Sequence, residues 1–229
     1  MEINADFSRR SLLHTPDIQW QDSPMQGVRR RILDRVGNEL ARATSIVSYA
    51  PASHFPAHAH PGGEEFIVLE GVFQDEHGDY PAGTYVRNPP ESSHTPRSDE
   101  GCLIFVKLWQ FDKDDRHHVV SDMNKVLLQI DASRPGTRMH TLFENSRESV
   151  RLESWEPGAD VVLDTSGGAE LLILDGAFTD AGEKLEKLSW LRIPINGTFS
   201  ATPGPQGARV WVKTGHLRFA EEEKRQMSR

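Results

Sequence analysis

Cysteine is nearly absent from this chain. Cys102 stands alone among 229 residues, which excludes an internal disulfide and any Cys-x-x-Cys zinc or redox pair. Its setting, "GCLIFVKLW", reads as a strand, where a lone cysteine packs as a small hydrophobe. Long apolar runs are missing too: no stretch approaches the roughly eighteen residues that a membrane helix needs. The opening "MEINADFSRRSLLH" has no apolar core of a signal peptide, so a cytoplasmic protein with no membrane partner is expected. Basic charge is in short supply. Lys and Arg number 26 against 34 Asp and Glu, for a net charge of −8. The densest basic cluster, "VRRRILDR" at 28–35, adjoins acidic residues and makes no basic face. Direct binding to DNA or RNA is therefore not expected.

Strand signals dominate what is present. Runs such as "ATSIVSYA", "EEFIVLEGVF", "GTYVRNP" and "CLIFVKLWQF" are rich in β-branched and aromatic residues. "PGG", "HGD", "PAG" and "NPP" punctuate them as turns. This pattern predicts an all-β sandwich or barrel. Helix is predicted only weakly, over 122–130 ("DMNKVLLQI") and in the charged tail 219–229, which is expected to be solvated or frayed.

An internal repeat organises the chain. "GGEEFIVLEGVFQD" (62–75) and "GGAELLILDGAFTD" (167–180) share seven of fourteen residues at an offset of 105. The likeness resumes between "CLIFVKL" (102–108) and "ARVWVKT" (208–214). Two copies of one β unit are therefore expected, residues 1–115 and 116–229, with "FDKDDRHH" (111–118) as a linker.

The first copy carries ligand-like side chains. His58 and His60 are two apart, so on a strand both imidazoles point the same way. Glu64 follows the "PGG" break in phase with Phe66 and Val68, and His94 joins from "NPPESSHTP", where two prolines constrain the loop. Two histidines in a loop mean little by themselves. Three with a carboxylate make a nitrogen and oxygen set suited to one divalent transition metal such as Fe, Mn, Ni, Co or Zn, and not to Ca or Mg. Glu65 alternates to the other face and reads as a structural residue. His54 is in phase with His58 as a neighbouring donor or acid/base group. Tyr85, Arg87 and Lys107 lie on strands near the site with their faces undecided, and no catalytic residue is assigned. His14, His77, His117, His118, His140 and His216 read as solvated, and the five Trp as core or interface anchors. At the same offset the second copy has Leu163, Thr165, Ala169 and Phe199 (Ser200 with a one-residue shift), none of which completes a metal site.

"HAHPGGEEFIVLEG" resembles the first cupin motif, and "GTYVRNPPESSH" is similar to the second, with Glu91 where a glycine usually stands. Over residues 20–112 the likeness is to the ChrR-type cupins of anti-sigma factors. This implies tandem cupin β-barrels of the jelly-roll type, a bicupin, with one metal held by His58, His60, Glu64 and His94. It also implies a regulatory role, sensing an oxidant or a small ligand at the metal. ChrR-type proteins grip a sigma factor through a helical zinc module with a Cys-x-x-Cys pair. This chain enters cupin sequence almost at once and has no such pair, so sigma-factor binding by that route is not expected. Other cupins with three histidines and a glutamate resemble dioxygenases that cleave diketones or hydroxylated aryl ketones, which is the alternative function. A homodimer stays open.

Overall fold

A computed structural model describes residues 1–38 and 40–227. It is almost entirely antiparallel β-structure of the cupin-like jelly-roll kind. The last two residues of the 219–229 tail lie outside the described residues.

The chain divides into two compact units. One comprises Met1–Ala5, Gln19–Lys125 and the residues from Glu221 onward; the other comprises Asp6–Ile18 and Val126–Ala220. Relative to a division after residue 115, the first unit runs on through 111–118 to Lys125. The segment 6–18 belongs to the second, where strand Ser11–His14 pairs with Ser189–Ile193, Leu12 opposite Leu191. Arg10 adds an ion pair to Asp180 at 3.0 Å. A four-residue strand is too short for its periodicity to reveal this pairing.

In the first unit the main sheet has the order Glu2–Ile3, Val28–Gly37, Ala41–Tyr49, Cys102–Leu108, Glu64–Asp75, Thr84–Asn88, Val119–Asp122. Strand Glu64–Asp75 spans two layers. Its first half pairs with Cys102–Leu108 and Thr84–Asn88, and its second half with Gly78–Pro81 and Arg97–Ser98. A register slip opposite Leu103 and Ile104 marks the change of layer, as β-bulges do. Gly71 sits at this bend with φ 70°, and a Cβ there would lie 2.1 Å from the Gly101 carbonyl oxygen. Only glycine tolerates both demands. Phe66, Val68, Phe73, Tyr80, Val86, Cys102, Ile104 and Val106 form the core between the layers. Burial pushes the Cys102 thiol up to about 11, in keeping with a packing role.

The second unit's sheet runs Gln129–Ile130, Thr137–Glu144, Ser149–Trp155, Ser200–Thr214, Ala169–Asp180, Ser189–Ile193, Ser11–His14. Ala169–Asp180 matches the length of Glu64–Asp75 and has its own register slip between Ile173 and Asp175. Trp155, Phe178 and Phe199 pack in its core. Trp155, Trp190 and Trp211 are fully buried anchors.

Two helix expectations change. Residues 122–130 form no helix: Asp122 accepts the Asn124 amide at 3.0 Å in a local turn, and the chain continues into strand Gln129–Ile130. An aspartate that bonds its own backbone competes with helix formation. The tail is helical over Ala220–Met227 and is docked rather than solvated. Glu223 is buried and accepts a hydrogen bond from Arg42 Nε at 2.9 Å, with both side chains shielded from water.

Candidate metal centre

Three strands bring the predicted ligands together. His58–His60 pairs with Ser92–His94, with His94 opposite His58 and Ser92 opposite His60. Two residues on one face of a strand and a third directly across from one of them are neighbours. This register is how a side chain more than thirty positions away reaches the pair. The imidazole centroids are 4.9, 5.1 and 4.7 Å apart. One nitrogen of each lies within 4.8 Å of the other two, so the cluster could hold a metal ion.

Glu64 completes the arrangement. Its Oε2 lies 3.6 Å from His60 Nε2 and 3.7 Å from His94 Nε2. These separations are too long for hydrogen bonds but close to the roughly 3.4 Å between ligands that each sit about 2.1 Å from one tetrahedral ion. Asn88 Nδ2 steadies the same oxygen at 3.4 Å. His60 Nε2 is buried without a hydrogen-bond partner, an orphan that a metal would satisfy.

The electrostatics agree. Burial, then repulsion from His58, lowers His60 to about 4. Burial likewise lowers His94, against the pull of Glu64, and raises Glu64, against the pull of His94 and His58. Burial thus disfavours the charged forms of His60 and His94, and the buried Glu64 carboxylate lacks a full counter-charge. Both conditions suit a cation.

One glycine and one glutamate shape the approach. Gly62 has no side chain because a Cβ there would lie 2.1 Å from the Trp109 ring. Glu91, which replaces the usual glycine of the second motif, adopts φ 70°. The left-handed turn therefore survives with a non-glycine residue, and Arg116 Nη2 holds its carboxylate at 3.1 Å.

Sequence reasoning missed Asp75. Its Oδ2 lies 3.1 Å from His94 Nδ1, and its Oδ1 accepts from the His77 and Gly78 amides and the Tyr80 hydroxyl. A carboxylate on one imidazole nitrogen fixes the other toward a metal. No local signal marked it, because the two residues are 19 positions apart on strands that do not pair.

The remaining candidates separate by face. Glu65 is buried and accepts a hydrogen bond from Tyr85 Oη at 2.7 Å. Arg87 pairs with Asp115 at 2.7 Å and Lys107 donates to Thr44 at 3.1 Å. All four alternate away from Glu64. His54 is exposed, with Arg97 as its register partner, and is not in the cluster. His77, His117 and His118 are exposed. His14 and His216 are not solvated as expected: His14 Nδ1 is 2.9 Å from Ser189 Oγ, and His216 is buried 3.6 Å from Glu170. In the second unit Thr165 Oγ1 donates to the Gly197 carbonyl at 2.6 Å, while Ala169 and Phe199 are core residues.

A cavity of about 270 Å³ opens onto His58, His60 and Glu64. Its other walls include Val47, Tyr49, Phe55, Leu108 and Trp109.

The fold is that of a cupin-like jelly roll. Residues 8–112 match the family described as the ChrR Cupin-like domain. The anti-sigma-E factor ChrR of Cereibacter sphaeroides is 34% identical over 104 residues, which cover 44% of this chain and 46% of that protein. The chain thus spans about half the length of this curated relative. Among solved structures, a Nostoc punctiforme protein provisionally described as a dioxygenase superposes with a TM-score of 0.76 at 14% identity, over 92% of this chain and 84% of that one. The pirin YhhW of Escherichia coli, solved in complex with nickel(II), superposes with a TM-score of 0.65 at 12% identity, over 90% and 98%. At these identities the structures share the fold alone. Among the described residues, no helix is long and apolar enough to cross a membrane.

Proposed function

We propose that the chain is a bicupin whose first copy, residues 1–115, binds one divalent transition metal through His58, His60, Glu64 and His94. It acts as a regulatory cupin that senses an oxidant or a small ligand at that metal. The second copy, 116–229, is a structural partner without metal ligands. The carrying observation is the convergence of three imidazoles on the buried Glu64, with His60 Nε2 left unpartnered. The ChrR match over residues 8–112 supports the regulatory reading.

A second reading has a specific observation behind it. The cavity reaches His58, His60 and Glu64, which leaves room for a substrate beside the ion, as a dioxygenase acting on small diketones or hydroxylated aryl ketones needs. A bound metal would supply Lewis-acid and redox chemistry there. Elemental analysis of the purified protein, followed by oxygen-uptake assays with those two substrate classes, tests both readings. One metal per chain without oxygen uptake supports the sensor, uptake that requires His94 supports the oxygenase, and no metal overturns both.

A further inference from the structure

The sequence "VRRRILDR" belongs to strand Val28–Gly37, and the metal site does not account for its charge. Arg30 stands opposite Val47 and Arg35 opposite Ala43 on the neighbouring strand. Strict alternation would put residues 30 and 35 on opposite faces. A bulge between Ile32 and Asp34 shifts the register by one and re-aims the second arginine. Both therefore join Val47 and Ala43 in lining the cavity that opens onto the histidines. Arg29 and Arg31 face Trp20 instead, with guanidinium carbons 5.5 and 4.2 Å from its ring centre.

Among the described residues, the two inward arginines have no counter-ion: no ion pair neutralises Arg30 or Arg35, and Arg35 donates only to the Asn38 carbonyl. Burial, then repulsion from Arg30, lowers the Arg35 pKa, so the two charges sense each other. Glu64 is the only carboxylate among the described lining residues, and it lies within the histidine cluster. Two guanidiniums at an apolar cavity form a site for an oxyanion, which arginine meets in planar, paired hydrogen bonds. The rim is apolar as well: Met25 and Leu40, 37% and 54% exposed, both line the opening. Large apolar side chains left in water beside a cavity mark a surface that an apolar ligand covers.

We propose that this cavity binds a small monocarboxylate with an apolar body, its carboxylate held by Arg30 and Arg35 and its body lying between Tyr49, Phe55 and Leu108 toward the histidine cluster. This names the ligand class for the site and rests on the metal-site reading only for what the inner end meets. At about 270 Å³ the space is below the roughly 300–1,000 Å³ of sites for drug-sized molecules, so the ligand is a short-chain or single-ring acid.

The test uses the full-length protein with its native metal, quantified by elemental analysis, and two matched probe pairs: benzoate with benzamide, and hexanoate with hexanamide. Binding is read by calorimetry and by tryptophan fluorescence, since Trp109 lines the cavity. At least one acid should bind about tenfold or more tightly than its amide, a difference of about 1.4 kcal/mol. The Arg30→Met/Arg35→Met double variant should bring that pair near parity while keeping its metal content. The single Arg30→Gln variant provides the same readout if the double variant fails to fold. Chelated, metal-free protein should keep the acid preference, because the arginines and not the ion set it. Equal binding of acids and amides, no binding of either acid at about 10 mM, or a preference that survives loss of the arginines would overturn the proposal. A protein without metal would end the metal reading, and the acid–amide comparison would still decide this one.

Discussion

Asp75 Oδ2 and His94 Nδ1 lie 3.1 Å apart, joining the far end of the Glu64–Asp75 strand to the last histidine of the cluster. The contact points His94 Nε2 toward Glu64 Oε2. Asp75→Asn keeps a group of the same size and removes the charge that orients the ring. It should weaken metal affinity by about 10- to 100-fold, measured by competition with a chromophoric chelator. Unchanged affinity would show that packing alone places His94.

Glu64 and Glu65 are adjacent and face opposite sides of the same strand. Glu64→Gln should cut metal occupancy, as should His58→Ala or His94→Ala, since each weakens or removes one of the four proposed ligands. Glu65→Gln should leave occupancy intact and lower stability by about 1 kcal/mol through its weakened bond with Tyr85. Equal metal loss in the two glutamine variants, read by elemental analysis, would contradict the assignment.

Gly71 and Gly182 separate two costs of replacing glycine. Both have positive φ, 70° and 81°, but a Cβ on Gly71 meets the Gly101 carbonyl oxygen at 2.1 Å, whereas one on Gly182 meets nothing within 4 Å. Gly182→Ala should cost about 1 kcal/mol from backbone conformation alone. Gly71→Ala should cost about 3 kcal/mol or more, because backbone must move as well. Urea titrations of the two variants give the comparison, and equal losses would mean that the bend relaxes freely.

Glu153 anchors a buried charge network in the second unit. Arg134 reaches its two oxygens at 2.9 Å each, Arg151 Nε bonds Oε1 at 2.9 Å, and Trp155 Nε1 bonds Oε2 at 2.8 Å. Burial by itself would raise the Glu153 pKa, but the Arg134 bonds and the charges of Arg134 and Arg151 outweigh it and hold the carboxyl below its ordinary value. As pH falls the unfolded chain takes up this proton first. The stabilisation is therefore complete above about pH 4.3 and is lost as pH drops through the lower folded value. Arg134→Met should cost about 3 kcal/mol at neutral pH, and the gap from wild type should narrow below about pH 4. A gap that stays constant with pH would point to lost packing instead.

Local spacing was enough to read the strands and to put His58, His60 and Glu64 in phase with one another. His58, His60 and Glu64 are placed by alternation, which depends only on neighbouring residues. The need for glycine at 71 is not legible locally: the residue lies inside strand Glu64–Asp75, and the Gly101 backbone across from it supplies the constraint. The faces of Tyr85, Arg87 and Lys107 needed the cross-strand register, which puts Arg87 and Lys107 opposite Glu65. A helix expected over 122–130 gave way to a turn that Asp122 makes with its own backbone.

The sequence by itself therefore determined an all-β chain with three histidines and a glutamate in cupin-like spacing, since period-two alternation and turn residues are written into short stretches. Tertiary structure alone decided that Asp75 orients His94, that a bulge turns Arg35 inward beside Arg30, and that residues 6–18 pair in the second unit while Glu223 docks in the first. Each of these depends on which distant strands become neighbours. That is settled by burying the core and pairing backbone across strands, and a local pattern carries no record of it.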